Sequence, residues 1–375
     1  MQKQIISLFL LVVFLFSCSG SNEPSPADNE KDRQPILIHW VDNIIVPSYD
    51  NFKVKFDVMK GMADTFVATP TTTTLTELRA AWVEAYIEWQ KVEMFEFGPA
   101  DQFTIRNFFN IYPTDVAGID ANINNPTVNL NLPDAYARQG FPALDYLLNG
   151  VAADDAQIVA YYTTGGDGVK RLAYVKRLTD RMNTLIGSVI AGWKGSYRDT
   201  FISKTGLDIG SSMGIVVNAY VLQYERYIRS GKIGIPCGST LVTNGTPYPE
   251  KVEAYYKKDI SLVLAKTAHQ AIADFFNGIH ANSTTDGPSF KSYLDALEAK
   301  DVTSGTLLSD IINQQYGTIK SNLNLLMPDL SQQIQTNNQL MIDTYTSMQK
   351  AVRLLKVDMA SAMSITITYT DNDGD

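Results

Sequence analysis

The sequence predicts an all-α fold, two antiparallel helical-bundle domains with a cleft between them. Three observations carry that expectation. Apolar residues recur at three- and four-residue steps over long stretches, the mark of amphipathic helices. Gly and Pro punctuate the gaps between those stretches. Only 364–369 alternates in the manner of a strand, and one short strand cannot make a sheet.

In chain order, Val41, Ile45, Tyr49, Phe52, Phe56, Met59, Ala63 and Phe66 form one face of a long helix that Pro47 should kink. Thr74 with Glu77 three residues on reads as a capping box, followed by the stripe Leu75, Leu78, Trp82, Ala85 and Trp89, which Gly98-Pro99 ends. Periodicity fades over 98–139, where Asn and Pro dominate, and loops this long inside compact domains are usually functional or mobile. Helical stripes return over 143–148, 169–193 and 211–229, the last stopped by Gly231. The second half adds helices over 255–276, 290–297, 307–326 and 334–363. The domain boundaries follow as 35–206 and 207–375.

The N-terminus carries Lys3, an apolar run from Ile5 to Phe16, and then Leu15-Phe16-Ser17-Cys18. That run is shorter than the roughly 20 residues of a membrane span, so 1–17 reads as a cleaved lipoprotein signal peptide. Cys18 then takes the lipid, and several acyl chains on one residue anchor stably. Residues 18–34, poor in apolar side chains, read as a flexible tether. The expected location is the cell envelope, lipid-anchored at the outer membrane and facing the periplasm or the surface.

The only other cysteine is Cys237, so no intramolecular disulfide is expected once Cys18 is acylated. Stability must come from packing, and 45% hydrophobic residues over 375 positions suffice for a large core. The net charge of −9, with no Lys/Arg cluster interleaved with aromatics, argues against nucleic acid as a partner.

The chain has three histidines, His39, His269 and His280, none in a zincin spacing. No serine-hydrolase elbow is read in the chain, Gly210-Ser211-Ser212-Met213-Gly214 being counted as one residue too long between its glycines. Gly231-Lys232-Ile233-Gly234-Ile235-Pro236-Cys237-Gly238 looks like a phosphate loop, but it follows a helix C-terminus instead of feeding an N-terminus, so it reads as a Gly-capped helix end. The tail Asp371-Asn372-Asp373-Gly374-Asp375 stops before the glutamate a calcium loop needs, and reads as a solvated terminus.

The stretch from Leu78 to Pro99, carried by Trp82, Trp89, Glu93, Phe95, Phe97, Gly98 and Pro99, resembles the first signature of the imelysin family. The resemblance continues through Tyr112-Pro113-Thr114-Asp115, through Gly231 to Pro236, and through Leu355-Lys356-Val357-Asp358-Met359 to the C-terminus. It implies an envelope protein of two helical bundles associated with iron uptake, in a family one branch of which is described as metal-dependent peptidases.

The family's hallmark is Gly-x-His-x-x-Glu, and the aligned stretch here is Gly140-Phe141-Pro142-Ala143-Leu144-Asp145. Proline has no ligating atom or titratable proton and Asp is one methylene shorter than Glu, so an acid–base or ligand pair loses at least half its chemistry. The expected cleft set is Trp82, Trp89, Glu93, Phe97, Gly98, Pro99, Asp115, Gly140, Pro142, Asp145 and Lys232, with Asp358 beside it. Iron or another divalent metal held weakly by Glu93 and Asp145 is one expectation. The plainer one pairs those carboxylates with Arg106 or Lys232.

The reading that follows is a lipid-anchored, non-enzymatic imelysin-like protein, with no catalytic residue assigned. It would bind a small ligand or metal, or dock a partner in iron or nutrient uptake. Its rivals are a metal-dependent peptidase and a purely structural docking module.

Overall fold

The computed structural model describes residues 30–370. Their regular structure is helical, and the only β pairing among them is an isolated bridge between Lys300 and Leu307. The expected signal peptide, Cys18, most of the tether and the acidic C-terminal tail lie outside the described residues. The described end of the tether, 30–34, is not a flexible linker but the start of a helix, with Arg33 buried and donating to the Tyr293 hydroxyl at 3.4 Å.

The helices that matter below are α1 (Glu30–His39), α2 (Val46–Ala68), α3 (Thr72–Trp89), α4 (Val116–Asn124), α5 (Gly140–Asp145), α6 (Gly168–Gly192) and α7 (Ser212–Leu222). After them come α8 (Ser261–Asn277), α9 (Phe290–Ala296), α10 (Leu308–Leu323) and α11 (Leu330–Arg353). Helix α2 forms where the apolar spacing demands it: Tyr49, Phe52, Phe56, Met59, Ala63 and Phe66 are all buried, facing α3 and α6. Each buried aromatic of this kind is worth roughly 1.5–3 kcal/mol relative to exposure. Helix α3 starts one turn earlier than predicted, because the reciprocal cap is made by Thr71 and Thr74, not by Thr74 and Glu77.

Pro47 does not break the first helix. A π-helical turn at Trp40–Ile45 sits immediately before it and absorbs the missing N–H donor. A longer π-helical stretch, the twelve residues Gln223–Gly234, follows α7 directly. Gly231 therefore does not stop that helix, which runs on to Cys237 and is capped by Gly238 in the left-handed region. The opposite discrepancy occurs at 255–260, where helix was expected: α8 starts only at Ser261, after a turn with Ala254 and Lys258 at positive φ. The reason is that the backbone N–H groups there are used by a side chain, described below.

The alternating segment 364–369 is no strand. It is an extended strap laid across α7 and the π-helix, with Asn218 bonded to Thr366 O and Thr368 N at 3.0 and 2.7 Å and Arg226 donating to Thr370 O at 2.7 Å. The inward side of the alternation buries Ile365.

Buried side chains form one continuous cluster from Ile36 to Ile365. Helices α2, α3 and α6 pack together on one side, and the π-helix, α10 and α11 on the other. The chain's first segment joins the second group: Trp40 lies 5.1 Å from Phe275 and 4.8 Å from Phe290, ring to ring.

Candidate functional site

Where the two helix groups meet, the apolar stripe of α3 changes character. One helical turn beyond Trp82 stands Tyr86, one further is Gln90, and Glu93 follows in a short 3₁₀ turn; all are buried. Facing them are Asn110 at the end of the short helix Ile105–Phe109, Gln223 and Lys232 on the π-helix, and Glu253 on the turn before α8, none more than 4% exposed. The wide π-helical turn brings Gln223, Tyr227 and Lys232 round to the same side.

The network is closely satisfied. Asn110 Nδ2 donates to both carboxylates, at 2.9 Å to Glu93 and 2.8 Å to Glu253. Gln223 donates to the other Glu93 oxygen at 3.0 Å, and Lys232 donates to Glu253 at 2.5 Å and to Gln90 at 2.7 Å. The Tyr86 hydroxyl has one proton and two acceptors, Asn110 Oδ1 at 2.6 Å and Glu253 at 3.1 Å. Burial, reinforced by Glu253, raises the Tyr86 and Tyr112 hydroxyls well above the ordinary tyrosine range, so both stay protonated. Arg106 donates to the Glu93 carbonyl at 2.8 Å and to Gln223 at 2.9 Å, its guanidinium 4.0 Å from the Tyr227 ring centre. Glu93 and Glu253 thus share this buried space with Lys232 and Arg106, as burial of charge requires, and Arg106 also faces Glu96, whose two oxygens accept from its backbone N–H at 3.2 Å.

Beside the network is a cavity of about 390 Å³, lined by Glu93, Asn110, Tyr112, Tyr227 and Lys232, with Arg226 and Lys251 half-buried at its rim. Tyr112 and Pro113 also line a neighbouring cavity of about 150 Å³, whose wall includes Pro142 and Asp145.

Asp145, expected at the hallmark's acidic position, has both oxygens engaged. Oδ2 accepts from Tyr256 N at 2.8 Å, and Oδ1 from Lys257 N at 2.9 Å and Asn149 Nδ2 at 3.1 Å. Burial raises this carboxyl to about 7 against the pull of those donors. Asp145 therefore holds in place the turn that delivers Glu253. Gly140 lets α5 begin here: its φ is +78°, and a Cβ would lie 2.3 Å from Phe109 O. The Pro142 carbonyl accepts from the Thr114 hydroxyl at 2.9 Å.

The donor set does not fit a metal ion. Every carboxylate oxygen of Glu93 and Asp145 already accepts from an N–H donor, and the cations Lys232 and Arg106 are at hand. Among the described residues, no three His, Cys, Asp or Glu side chains come together to hold one.

Of the residues expected in the cleft, Glu93 and Lys232 line the larger cavity, and Pro142 and Asp145 the smaller. The plainer pairing is not made: Lys232 meets Glu253, Arg106 takes the Glu93 carbonyl and Gln223, and the Glu93 and Asp145 carboxylates accept from amides, because the fold brings neutral N–H donors to both. Trp82 donates to Phe141 O at 3.3 Å and Trp89 stacks on Phe109 at 4.7 Å, both in the core. Phe97 packs on Trp193 and Phe201, Gly98 turns the chain at φ +57° against Tyr197, and Pro99 meets α6 at Gly192. Asp115 caps α4 through Gly118 N and pairs with Arg138 at 2.8 Å. Asp358 is half-exposed near the end of the last helix and is not a partner in the network.

Sequence reasoning missed Tyr86, Gln90, Asn110, Gln223 and Glu253. The available signal was polar side chains at helical spacing on the buried face of α3. The rejection of Gly210-Ser211-Ser212-Met213-Gly214 on spacing was a miscount, since the stretch does have the Gly-x-Ser-x-Gly spacing. Here Ser211 caps α7, and the buried Ser212 donates to Phe201 O at 2.6 Å. No strand leads into that turn among the described residues, so it is not a nucleophile elbow.

Comparison with known proteins agrees with this architecture. The imelysin family model matches residues 45–355. Iron-regulated protein A of Synechococcus elongatus is 29% identical over 109 residues, which span 29% of this chain and only 30% of that protein. The crystal structure of an imelysin-like protein from Psychrobacter arcticum superposes with a TM-score of 0.68 at 17% identity, covering 91% of this chain and 98% of the other. A candidate iron-regulated protein A precursor from Parabacteroides distasonis gives the same TM-score at 18% identity, covering 91% and 97%. With the family model spanning most of its length and the fold shared throughout, this chain belongs to the imelysin family.

Proposed function

We propose that this protein is a lipid-anchored, non-hydrolytic binding protein of the cell envelope that takes a small organic anion into the cavity beside Glu93, Tyr112, Tyr227 and Lys232, in the service of iron or nutrient uptake. The observation that carries the reading is the cavity's electrostatic arrangement. Its inner wall is a hydrogen-bonded network, whereas its rim presents the half-buried cations Arg226 and Lys251. Pre-formed concave sites with a few fixed polar groups are the usual form of small-ligand pockets, and about 390 Å³ is within their size range.

Hydrolysis is disfavoured because the hallmark histidine is Pro142 and Asp145 is committed to two backbone amides. The lipobox at Cys18 supports the anchor, and among the described residues no helix is long and apolar enough to cross a membrane. The relatives described as iron-regulated proteins support the uptake context.

The test is calorimetric titration of the purified protein with citrate, ferric citrate and free ferrous ion. Binding of the carboxylate species, lost in Lys251→Glu, is the expected result. Binding of free ferrous ion alone would overturn the reading.

A further inference from the structure

A second and larger cavity, about 770 Å³, opens on the opposite side of the 93–95 turn. Glu93 faces the polar network, while Met94 and Phe95 from the same turn line this other space. Its floor is apolar, built from buried Ile44, Met94, Phe95, Phe275 and Leu323. Its rim is cationic: Lys91, Lys266 and Lys320 converge on it from three separate elements. In a chain carrying nine excess negative charges, three lysines around one cavity are a local reversal of sign.

The partners of these lysines leave positive charge over. Lys91 pairs with Glu88 at 2.8 Å and donates to Asn282 at 3.1 Å. Lys320 donates to the neutral Gln270 at 3.0 Å, while Lys266 makes no hydrogen bond or ion pair among the described residues. One carboxylate lines the cavity, Asp274, and it accepts from Gln270 at 2.8 Å. Counting Glu88 as well as Asp274 against the three lysines, one cation is uncompensated. Lys266, Gln270 and Asp274 stand four residues apart on α8, so they form one polar edge along the wall.

We infer that this cavity is a binding site for an amphiphilic anion, its apolar body lying on Phe95, Phe275 and Leu323 and its acidic head held at the rim by Lys266 and Lys320. Apolar burial supplies most of the affinity. The unpaired ammonium fixes orientation and selects the sign of the head group.

The experiment is calorimetric titration with decanoate below its micellar concentration, on the full chain carrying Cys18→Ser so that neither an acyl anchor nor detergent competes. Parallel titrations use decanol, decyltrimethylammonium and acetate. Saturable decanoate binding is expected, with decanol at least roughly tenfold weaker, as the loss of one charge-assisted contact implies, and with no binding of the cationic or short probes. Lys266→Glu, at a half-exposed position without partners, should weaken decanoate by a similar factor while leaving the melting temperature unchanged. Lys320→Glu should do the same in part. The inference fails if wild type shows no saturable decanoate binding, if decanol binds equally well, or if both variants bind as wild type does.

Discussion

Lys232 and Glu253, twenty-one positions apart and each 2% exposed, meet at 2.5 Å between the two helix groups. Neither charge has water to turn to, so each is held by the other and by Gln90, Asn110 and Tyr86. Breaking such a pair from one side is costly because the remaining charge stays buried. Lys232→Met should lower unfolding free energy by about 3–5 kcal/mol, and the double change Lys232→Met with Glu253→Gln should recover part of it. Urea unfolding of both variants measures this; a single variant as stable as wild type would contradict it.

Gly140→Ala tests the backbone geometry of the hallmark stretch. A methyl group would strain a positive φ and meet Phe109 O at 2.3 Å. A loss of at least about 2 kcal/mol is expected from strain and steric displacement together, read as a lower midpoint in the same unfolding experiment.

Glu96 and Asp145 should give stability a pH dependence of unusual sign between about 4 and 7, opposed in part of that window by His269, whose imidazole pKa burial lowers to about 4 and whose contribution therefore rises with pH. Burial raises Glu96 to about 7, against the opposing Arg106, and raises Asp145 to a similar value. A carboxyl whose folded pKa exceeds its unfolded one binds more protons in the native state through that window. The stability these two carboxyls contribute is therefore fullest below the unfolded value, falls as pH rises, and levels off above 7. Each group accounts for roughly 3–4 kcal/mol at the limit. Glu96→Gln should remove part of the slope; an unchanged slope would show that Glu96 does not titrate there.

The proposed lipid anchor is directly testable. Mass spectrometry of the mature N-terminus should find Cys18 acylated, and Cys18→Ser should move the protein from the membrane to the soluble fraction. An unmodified start elsewhere would remove the anchor from the proposed function.

Much of this molecule was legible because its buried apolar residues recur at helical spacing. The Tyr49 to Phe66 stripe and the 169–193 stripe correspond to α2 and α6 within a few residues. What could not be read was set by long-range pairing. No local signal shows that Asp145 takes the amides of Tyr256 and Lys257 and so prevents helix there. Nor does spacing reveal that Gln223–Gly234 widens into a π-helix, which made Gly231 look like a stop. The site was half legible for the same reason: Glu93 and Lys232 belong to quotable motifs, whereas Asn110, Gln223 and Glu253 matter only once the fold brings them together.

The last prediction concerns metal. In wild type, residues 142 and 145 stand three apart on the first turn of α5, the spacing that would place a histidine and an acid on one face. Proline in this turn forgoes no intrahelical hydrogen bond, so Pro142→His should be tolerated. The single change should nevertheless gain little metal affinity, because Asp145 is held by two amides and Asn149. Adding Asp145→Glu lengthens the side chain and breaks that attachment, leaving buried N–H groups unpaired at a cost of about 1–3 kcal/mol each. The double variant should therefore melt lower than wild type without metal and regain stability with zinc or ferrous ion, since a ligand that binds only the native state raises its stability. Wild type should bind either ion more weakly than micromolar, a threshold of roughly 8 kcal/mol, and should not hydrolyse peptides with zinc present. Micromolar binding by wild type would mean that Glu93 and Asp145 can release their donors to a metal. Turnover that copurifies with the protein and is lost in Asp145→Asn would return the peptidase reading to first place.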